Sequence, residues 1–161
     1  MAHLNLCWFI KACKAYYTKG FNMKIRVYYE DTDAGGIVYY ANYFKFTERG
    51  RTELLRDLGV SQSEILKKYD IKFIVHSVSM KYINPAFLDD QLTVETKINN
   101  LKKASVDFNQ NIYKVLNNKK IDIVKSKCRI VCINSNQKIN AIPDLILKKF
   151  SEEVWIMVFY T

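Results

Sequence analysis

The chain has 161 residues, of which 49% are hydrophobic, and this fits one domain large enough to fold around its own core. Its formal net charge of +9 suits an anionic partner, whether nucleic acid, a membrane surface or a phosphate-bearing small molecule. No apolar run approaches the roughly 20 residues that span a bilayer, and four cysteines are too few for a disulfide framework. We therefore expect a cytoplasmic protein without a membrane span.

Both ends of the chain are expected to lie outside the main domain. The first well-patterned segment begins at Met23, so residues 1–22 are predicted to be a translational extension or a loosely docked arm. Residues 151–161 form an apolar tail that must dock somewhere or pair at a sheet edge. One domain is therefore predicted over residues 23–150.

The first part of this domain has the pattern of a strand followed by a long helix. Residues 24–29 alternate between polar and apolar side chains, as a half-buried strand does, and the Asp- and Gly-rich stretch 31–36 ends them. Over residues 40–58 the apolar side chains recur at three- and four-residue spacings, which predicts a helix, and Gly59 is a suitable end for it.

The rest of the domain is dominated by alternation with a period of two. In the segment that precedes this alternation, Ser61 and Glu64 match a capping box and predict a short helix through Tyr69. The alternation predicts five strands, over residues 74–82, 92–98, 105–115, 121–134 and 138–142, with a turn at 117–118. In the first strand, one face is expected to hold Ile74, His76, Val78, Met80 and Tyr82. Pro143 is placed to open a closing helix that runs to Phe150.

This order of elements indicates a fold class. A strand, a long helix and then a run of hairpin-linked strands predict an α+β fold in which an antiparallel sheet packs on the helix. Strands and helices do not alternate, so a doubly wound parallel sheet is not expected.

The loop over residues 31–36 carries two carboxylates and two glycines between a strand end and a helix start. A calcium EF-hand loop would need an oxygen ligand at its fifth position and Glu at its twelfth, where this chain has Gly35 and Asn42. A phosphate-binding P-loop would need Lys and then Ser or Thr after the glycines, where two aliphatic residues follow. The spacing therefore argues against a calcium site and against a P-loop.

Other hydrolytic and metal sites also have little support. The chain has two histidines, His3 and His76, and no serine flanked by glycines as G-x-S-x-G requires, so a Ser-His-Asp triad is not favoured. Cys128 and Cys132 lie on one face of a predicted strand without a third or fourth ligand nearby in sequence. We interpret them as small core residues, and no metal site is predicted.

What remains is an acidic group beside a helix start. Unpaired N–H groups and the helix dipole can polarise a carbonyl there, and a carboxylate can act as nucleophile or as general base for water. A thioester suits this arrangement because its thiolate leaves easily, the thiol pKa being about 8.5. The residues alone leave a second interpretation open, in which Asp31 and Asp33 only hold the turn by bonding their own backbone.

Several motifs stand out along the chain: YEDTDAGGIVYYANY at 29–43, FTERGRTELL at 46–55, YINPA at 82–86, LDD at 88–90 and IPD at 142–144. Together they resemble the 4-hydroxybenzoyl-CoA thioesterase family of hotdog proteins. Within it they resemble most closely the acyl-CoA thioesterases associated with the bacterial Tol-Pal system. The resemblance spans about residues 23–150.

The resemblance implies a hotdog fold, in which an antiparallel β-sheet wraps around a long central α-helix. It implies subunits that pair into a homodimer or homotetramer, with the active site at their interface. The implied substrate is an acyl-CoA or an acyl-carrier protein, and no cofactor is implied because coenzyme A is part of the substrate. The resemblance places the catalytic carboxylate on Asp33, the carbonyl-polarising backbone N–H on Tyr40 and a supporting carboxylate on Glu48.

Four positions need separate comment. The Tol-Pal-associated branch usually has His where this chain has Tyr40, so only the backbone role of that residue carries over. Gly50 replaces the usual Ala, at a cost of about 1 kcal/mol in helix propensity, and indicates either drift or a close helix–sheet contact. Glu48 has a plainer explanation as a solvated or salt-bridged helix residue. His76 is interpreted as a core or interface histidine rather than a catalyst.

Thioester hydrolysis is thus the leading hypothesis. The alternative is a non-catalytic module whose basic surface binds nucleic acid or an acidic partner in a salt-dependent way. The aromatic residues fall mostly on predicted core faces and form no aromatic and basic strip, so nucleic acid is not expected as a partner. A hotdog dehydratase or hydratase would need a catalytic His near the helix, where this chain has none.

Overall fold

The computed structural model describes residues 20–155, with side chains up to residue 151. Within this range the elements in chain order are β1 (Phe21–Arg26), α1 (Asn42–Asp57), α2 (Gln62–Tyr69), β2 (Ile71–Tyr82), β3 (Gln91–Leu101), β4 (Ser105–Leu116), β5 (Lys119–Asn134) and α3 (Asp144–Trp155). Predictions for residues 1–19 and 156–161 lie outside the described part of the chain.

The strands form one antiparallel sheet in the order β1-β3-β4-β5-β2, and α1 packs against β1 and β3. The hairpin between β4 and β5 turns at Asn117 and Asn118, whose φ angles of 50° and 59° are those of a two-residue hairpin turn of the primed type. The predicted α+β architecture and this turn are confirmed.

Two apolar clusters make up the core within residues 20–151. The loop cluster surrounds the first half of α1 and consists of Val27, Val38, Tyr43, Phe46, Ala86, Leu92, Val94, Ile112, Ile123 and Val124. The distal cluster surrounds its second half and consists of Leu54, Leu55, Val60, Ile65, Ile71, Ile98, Val106, Phe108, Cys128, Ile130, Cys132, Ile142, Ile146 and Phe150. The two cysteines are therefore core residues, as predicted, and burial raises the pKa of the Cys132 thiol to about 11.

A polar row separates the two clusters. Thr96, Gln110 and Ser126 pair across β3, β4 and β5 and are each at most 4% exposed. The Gln110 side-chain amide donates to the Thr47 backbone oxygen at 2.8 Å and to the Thr96 hydroxyl at 2.9 Å. The Arg51 guanidinium donates to Gln110 Oε1 at 2.7 Å. Buried polar groups need such partners, so Gln110 fixes α1 to the sheet at its middle. The Ser126 hydroxyl has no partner among the described residues.

Gly50 lies over this row. A Cβ atom there would come 2.8 Å from Thr96 Oγ1 and 2.9 Å from Val94 Cγ1, closer than real Cβ atoms approach. The helix therefore comes nearer to the sheet than an alanine would allow. This favours the close helix–sheet contact over drift as the explanation of Gly50.

β1 is displaced relative to its prediction. It begins at Phe21, so the fold starts before the predicted boundary at residue 23, and it ends at Arg26 instead of residue 29. Asp31 Oδ2 accepts a hydrogen bond from the Tyr28 N–H at 3.0 Å, and residues 29–31 form a single 3-10 turn. This local bond competes with strand pairing and ends β1 early.

The helix ends also differ in detail. α1 begins at Asn42, two residues later than predicted, and Gly59 at φ +65° follows its end as expected. The predicted capping box of α2 is wrong. Ser61 makes no side-chain cap bond, and its hydroxyl lies 3.0 Å from the Ser63 hydroxyl instead.

The C-terminal elements correct two predictions. The strand expected over residues 138–142 is absent from the described chain, where Ile133 and Ile139 form only an isolated bridge. Gln137, at φ 59°, turns the chain sharply before it. α3 runs to Trp155, so the predicted tail boundary at residue 151 falls inside a helix.

β2 lies at the edge of the sheet and contains a bulge. Its register with β5 shifts between Val75 and Ser77, so His76 has no partner there and the alternation of faces changes. The partner of Ile74 in β5 faces outward, so Ile74 lies on the opposite face of the sheet from Val78. The prediction that these two side chains share one face is therefore wrong. His76 is exposed, so it is not a core residue of this chain, and its interpretation as an interface histidine stays a prediction.

Candidate active site

The acidic loop between β1 and α1 is a tight turn held by its own backbone. The Asp33 N–H donates to the Ile37 oxygen at 3.0 Å, and the Gly36 N–H donates to the Asp33 oxygen at 2.9 Å. Thr32 and Val38 close the loop with a β-bridge. Gly36 has a φ of +74°, a conformation that favours glycine, so the sequence dictates the turn.

Asp33 is exposed at the start of this turn. Its Oδ1 accepts a hydrogen bond from the Gly35 N–H at 2.8 Å. A Cβ atom at Gly35 would lie 3.0 Å from the same oxygen, so glycine leaves room for the contact. No donor within residues 20–151 reaches Oδ2. The turn-forming interpretation therefore accounts for one carboxylate oxygen of Asp33, and the other is open to water or substrate.

Asp31 has a structural role. Its side chain is only 7% exposed, and its Oδ2 accepts the Tyr28 N–H. Its backbone oxygen accepts hydrogen bonds from the Tyr39 N–H at 2.8 Å and from Asn42 Nδ2 at 3.0 Å. These bonds tie the loop to the start of α1, so the turn-forming interpretation holds for Asp31.

The segment just before α1 provides unpaired backbone donors. Tyr40 precedes Asn42, the first helical residue, by two positions, and neither the Tyr40 nor the Ala41 N–H donates to another described residue. The first bonds of the helix begin beyond them, with the Phe44 N–H donating to the Ala41 oxygen at 3.1 Å. Tyr40 thus lies at the approach to the helix, where its N–H can meet a carbonyl oxygen.

A tyrosine cluster, made of Tyr39, Tyr40, Tyr43 and Tyr82, covers the helix start. The ring centroids of Tyr39 and Tyr40 are 4.7 Å apart, and those of Tyr40 and Tyr82 are 6.3 Å apart with perpendicular planes. The Tyr82 hydroxyl lies 3.4 Å from the Tyr40 backbone oxygen. Tyr39, Tyr40 and Tyr82 are 42%, 57% and 45% exposed, so aromatic surface remains open beside Asp33.

The surroundings of three of these tyrosines raise their pKa values. A side-chain hydrogen bond with Tyr40 raises the pKa of Tyr39, and the negative charge of Asp33 adds to the effect. Burial raises the pKa of Tyr43 to about 12. Burial also raises the pKa of Tyr82. All three phenols stay protonated at neutral pH and can donate hydrogen bonds.

Within one chain, the fold does not place Glu48 beside Asp33. It lies about 9 Å along the axis beyond the first residue of α1. Its Oε1 accepts the Thr52 hydroxyl at 2.7 Å, and its side chain lines a cavity of about 80 Å³ together with Phe73 and Val75. Within this chain its surroundings are those of an exposed helix residue with a local hydrogen bond.

A larger cavity, of about 500 Å³, lies on the face of the sheet opposite α1 and does not include Asp33 or Tyr40. Four lysines border it: Lys81, Lys97, Lys125 and Lys127. Lys97 lies 2.8 Å from Glu95 and Lys125 lies 2.9 Å from Asp122, so ion pairs partly neutralise this surface.

Within residues 20–155, no group of three or more His, Cys, Asp or Glu side chains is placed to hold a metal ion. No helix in this part of the chain is long and apolar enough to cross a membrane.

Sequence reasoning missed Tyr39 and Tyr82 as residues of this site. The signal was present, because the YINPA motif begins with Tyr82 and two tyrosines stand side by side before the helix. The alternation of β2 assigned Tyr82 only to a strand face and did not indicate its contact with Tyr40.

Solved structures share this architecture. A probable thioesterase from Bartonella henselae, 33% identical, matches with a TM-score of 0.71 over 77% of this chain and 99% of that chain. A mutant 4-hydroxybenzoyl CoA thioesterase complexed with 4-hydroxybenzoyl CoA matches with a TM-score of 0.75 over 81% and 97%, but at 19% identity this likeness concerns the fold alone. The predicted hotdog fold is confirmed.

Sequence relatives define the family. Residues 27–150 match the family described as the thioesterase-like superfamily. The chain is 39% identical over 115 residues to the acyl-CoA thioesterase YbgC of Haemophilus influenzae, covering 71% of this chain and 82% of the relative. It is 36% identical over 133 residues to the acyl-CoA thioester hydrolase YbgC of Escherichia coli O6:H1, covering 82% and 96%. The chain therefore belongs to the thioesterase-like superfamily.

Proposed function

We propose that this protein hydrolyses the thioester bond of an acyl-CoA. The observation that carries the proposal is the position of Asp33, an exposed carboxylate with one open oxygen in the loop that leads to the unpaired Tyr40 N–H. The names of the relatives from Haemophilus influenzae and Escherichia coli, both acyl-CoA thioester hydrolases, support it.

In the proposed reaction Asp33 acts as general base or as nucleophile. As a base, Oδ2 takes a proton from water, whose oxygen attacks the thioester carbonyl, and the Tyr40 N–H donates to the oxygen that becomes negative. The C–S bond then breaks, and coenzyme A leaves as a thiolate that takes up a proton. As a nucleophile, Asp33 forms a mixed anhydride that water opens. No cofactor is required, because coenzyme A is part of the substrate.

We further propose that a second copy of the chain completes the site. β2 is an edge strand, and its apolar side chains Ile74, Val75 and Val78 are 40%, 52% and 42% exposed. No strand within residues 20–155 pairs with this edge of β2. An exposed apolar edge invites pairing with another strand, here β2 of a second copy in a homodimer. The cavity at Glu48 opens beside Val75, so Glu48 would exert its supporting role across this contact. A homotetramer would need a further contact.

The proposal includes an acylated acyl-carrier protein as an alternative substrate, because its acyl group is carried on the same kind of thiol. It also includes a cytoplasmic location. The thiols of Cys128 and Cys132 are both free and suit a reducing compartment.

The alternative functions have less support. A dehydratase would need an imidazole at the helix start, whereas His76, the one histidine within residues 20–155, is exposed at the bulge of β2. A purely basic binding module would leave the open carboxylate and the unpaired N–H groups without a role.

The direct test is Asp33→Asn, assayed against a panel of acyl-CoAs with colorimetric detection of the released thiol. We expect kcat to fall by about 10²- to 10⁴-fold, the contribution typical of a general base. Asn can still accept the Gly35 N–H, so the turn and the Tm should be kept. Asp57→Asn, an exposed carboxylate at the other end of α1, is the matched control and should retain full turnover. Wild-type-like turnover of Asp33→Asn would contradict the assignment.

A further inference from the structure

We propose that an ion pair outside the acidic loop, between Lys114 and Asp90, holds the catalytic carboxylate in place, so that both are positioning residues for Asp33. This inference rests on the function proposed above. Asp90 lies directly before β3, and Lys114 lies in β4, in the interior of the sheet order. The Lys114 ammonium is 2.6 Å from Asp90 Oδ2.

Asp90 is a junction of several hydrogen bonds. Its Oδ2, besides contacting Lys114, accepts the Phe87 N–H at 2.8 Å. Its backbone N–H donates to the Phe87 oxygen at 3.1 Å, and its backbone oxygen accepts the Val27 N–H at 3.0 Å. One residue thus fixes the turn over residues 87–90 to β4 on one side and to the end of β1 on the other.

Phe87 connects this junction to the acidic loop. It forms an antiparallel bridge with Ile37, whose backbone oxygen accepts the Asp33 N–H at 3.0 Å. A continuous set of contacts therefore leads from Lys114 through Asp90, Phe87 and Ile37 to the backbone of Asp33. The acidic loop is also tied to the residue before Phe87, because the Val38 N–H donates to the Ala86 oxygen at 2.8 Å. Misplacing a catalytic group by about 1 Å can cost about 10²-fold in rate.

The burial of the pair makes it effective. The side chains of Lys114 and Asp90 are 16% and 22% exposed, and the ammonium lies 5.3 Å from the centroid of the Phe87 ring. If one partner is removed, the other remains as a poorly solvated charge. The turn must then move so that water can reach that charge. The pair of Lys125 and Asp122, with 58% and 29% exposure, lies within β5 and provides a matched control.

The first experiment measures kcat, KM and Tm for Lys114→Met, Lys114→Arg and the control Lys125→Met, with the acyl-CoA that wild type turns over best. We expect Lys114→Met to lower kcat about tenfold or more at temperatures well below its Tm, with little change in KM. Lys114→Arg should recover much of the loss, because it keeps the charge. A purely architectural role would lower Tm while kcat per folded molecule stayed at the wild-type value, and that result would overturn the proposal.

A second measurement does not depend on turnover. Hydrogen exchange should show that Lys114→Met speeds exchange of the amides of residues 33–38, whereas Lys125→Met leaves them unchanged. Equal exchange in both variants would also overturn the positioning role. Failure of the proposed function would give a different result. The wild-type protein would release no thiol from any acyl-CoA of the panel, or Asp33→Asn would release it as fast as wild type. Neither result depends on the hydrogen exchange of the loop.

Discussion

The two halves of α1 lie in different surroundings. Around its second half the distal cluster is closed, and Leu54 and Leu55 are 2% and 4% exposed beneath α2 and α3. Around its first half Phe46 is buried, but the neighbouring rings of Tyr40 and Tyr82 are about half exposed. Contiguous open apolar surface marks a place for a ligand or a partner. The closed half therefore maintains the fold, and the open half, next to Asp33, carries the proposed chemistry.

The largest expected effect on stability is in the closed half. Leu54→Ala should lower the free energy of unfolding by about 2–5 kcal/mol, because it leaves a cavity in the distal cluster. Leu66→Ala, at a position 44% exposed in α2, should change it by no more than about 0.5 kcal/mol. Urea denaturation measures both, and turnover per folded Leu54→Ala molecule should stay at the wild-type level. A fall in kcat comparable to that of Asp33→Asn would show that the two halves are not separable.

The next effect concerns the open edge of the sheet. In a two-fold pairing through β2, Val78→Lys would place two like charges near each other and weaken association by about 3 kcal/mol, or roughly 100-fold in Kd. Val115→Lys, on a side chain 59% exposed in β4, is the control and should leave association unchanged. Sedimentation velocity over a range of concentrations distinguishes the two. A Val78→Lys protein that associates like wild type would exclude β2 as the interface.

A smaller effect is expected at the boundary between the halves. Gly50→Ala gains about 1 kcal/mol in helix propensity, but its Cβ overlaps Thr96 and Val94 at a typical cost of about 1–3 kcal/mol. We expect a net loss of about 1 kcal/mol in urea denaturation. Arg49→Ala, exposed on the same helix, should be nearly neutral. If Gly50→Ala stabilised the protein, drift would explain the glycine and the close contact would not.

Much of the fold could be predicted because its elements are long and regularly patterned. Predictions failed where a side chain bonds the nearby backbone or where the pairing shifts. Asp31 binds the Tyr28 N–H and shortens β1, and Ser61 contacts another serine instead of capping α2. The bulge at His76 is hidden in the sequence, because the alternation of residue types continues through it although the faces do not.

The site could be predicted only in part. Elementary chemistry pointed to the acidic loop but left Asp31 and Asp33 as equal candidates, and family motifs favoured Asp33. The structure adds a physical difference, since Asp31 is buried with its carboxylate bonded whereas Asp33 is exposed. Contacts such as Tyr82 with Tyr40, 42 residues apart, depend on how the sheet closes over the helix and could not be predicted from local pattern.

The smallest effect is expected on the outer face of the sheet, beside the closed half. Arg129 donates two hydrogen bonds to the Asp107 carboxylate, at 2.6 Å and 2.8 Å, and they hold the pKa of Asp107 below its usual value. A carboxyl whose pKa is lower in the folded state stabilises the fold above its unfolded pKa of about 3.9 and loses that contribution as pH falls through the folded value. The side chains of Arg129 and Asp107 are 42% and 20% exposed, so solvent screening limits the pair to about 0.5–1 kcal/mol.

Asp107→Asn should therefore lower the free energy of unfolding by that amount at pH 7, and the difference from wild type should shrink as urea titrations are repeated toward pH 3. The matched variant Asp57→Asn, exposed at the last residue of α1, should show no comparable trend. A penalty for Asp107→Asn that stays constant over this range would assign it to lost packing on the sheet and not to the ion pair. Because Asp107 is remote from Asp33 in the fold, kcat should be unchanged even where stability differs, which again separates the closed half from the open one.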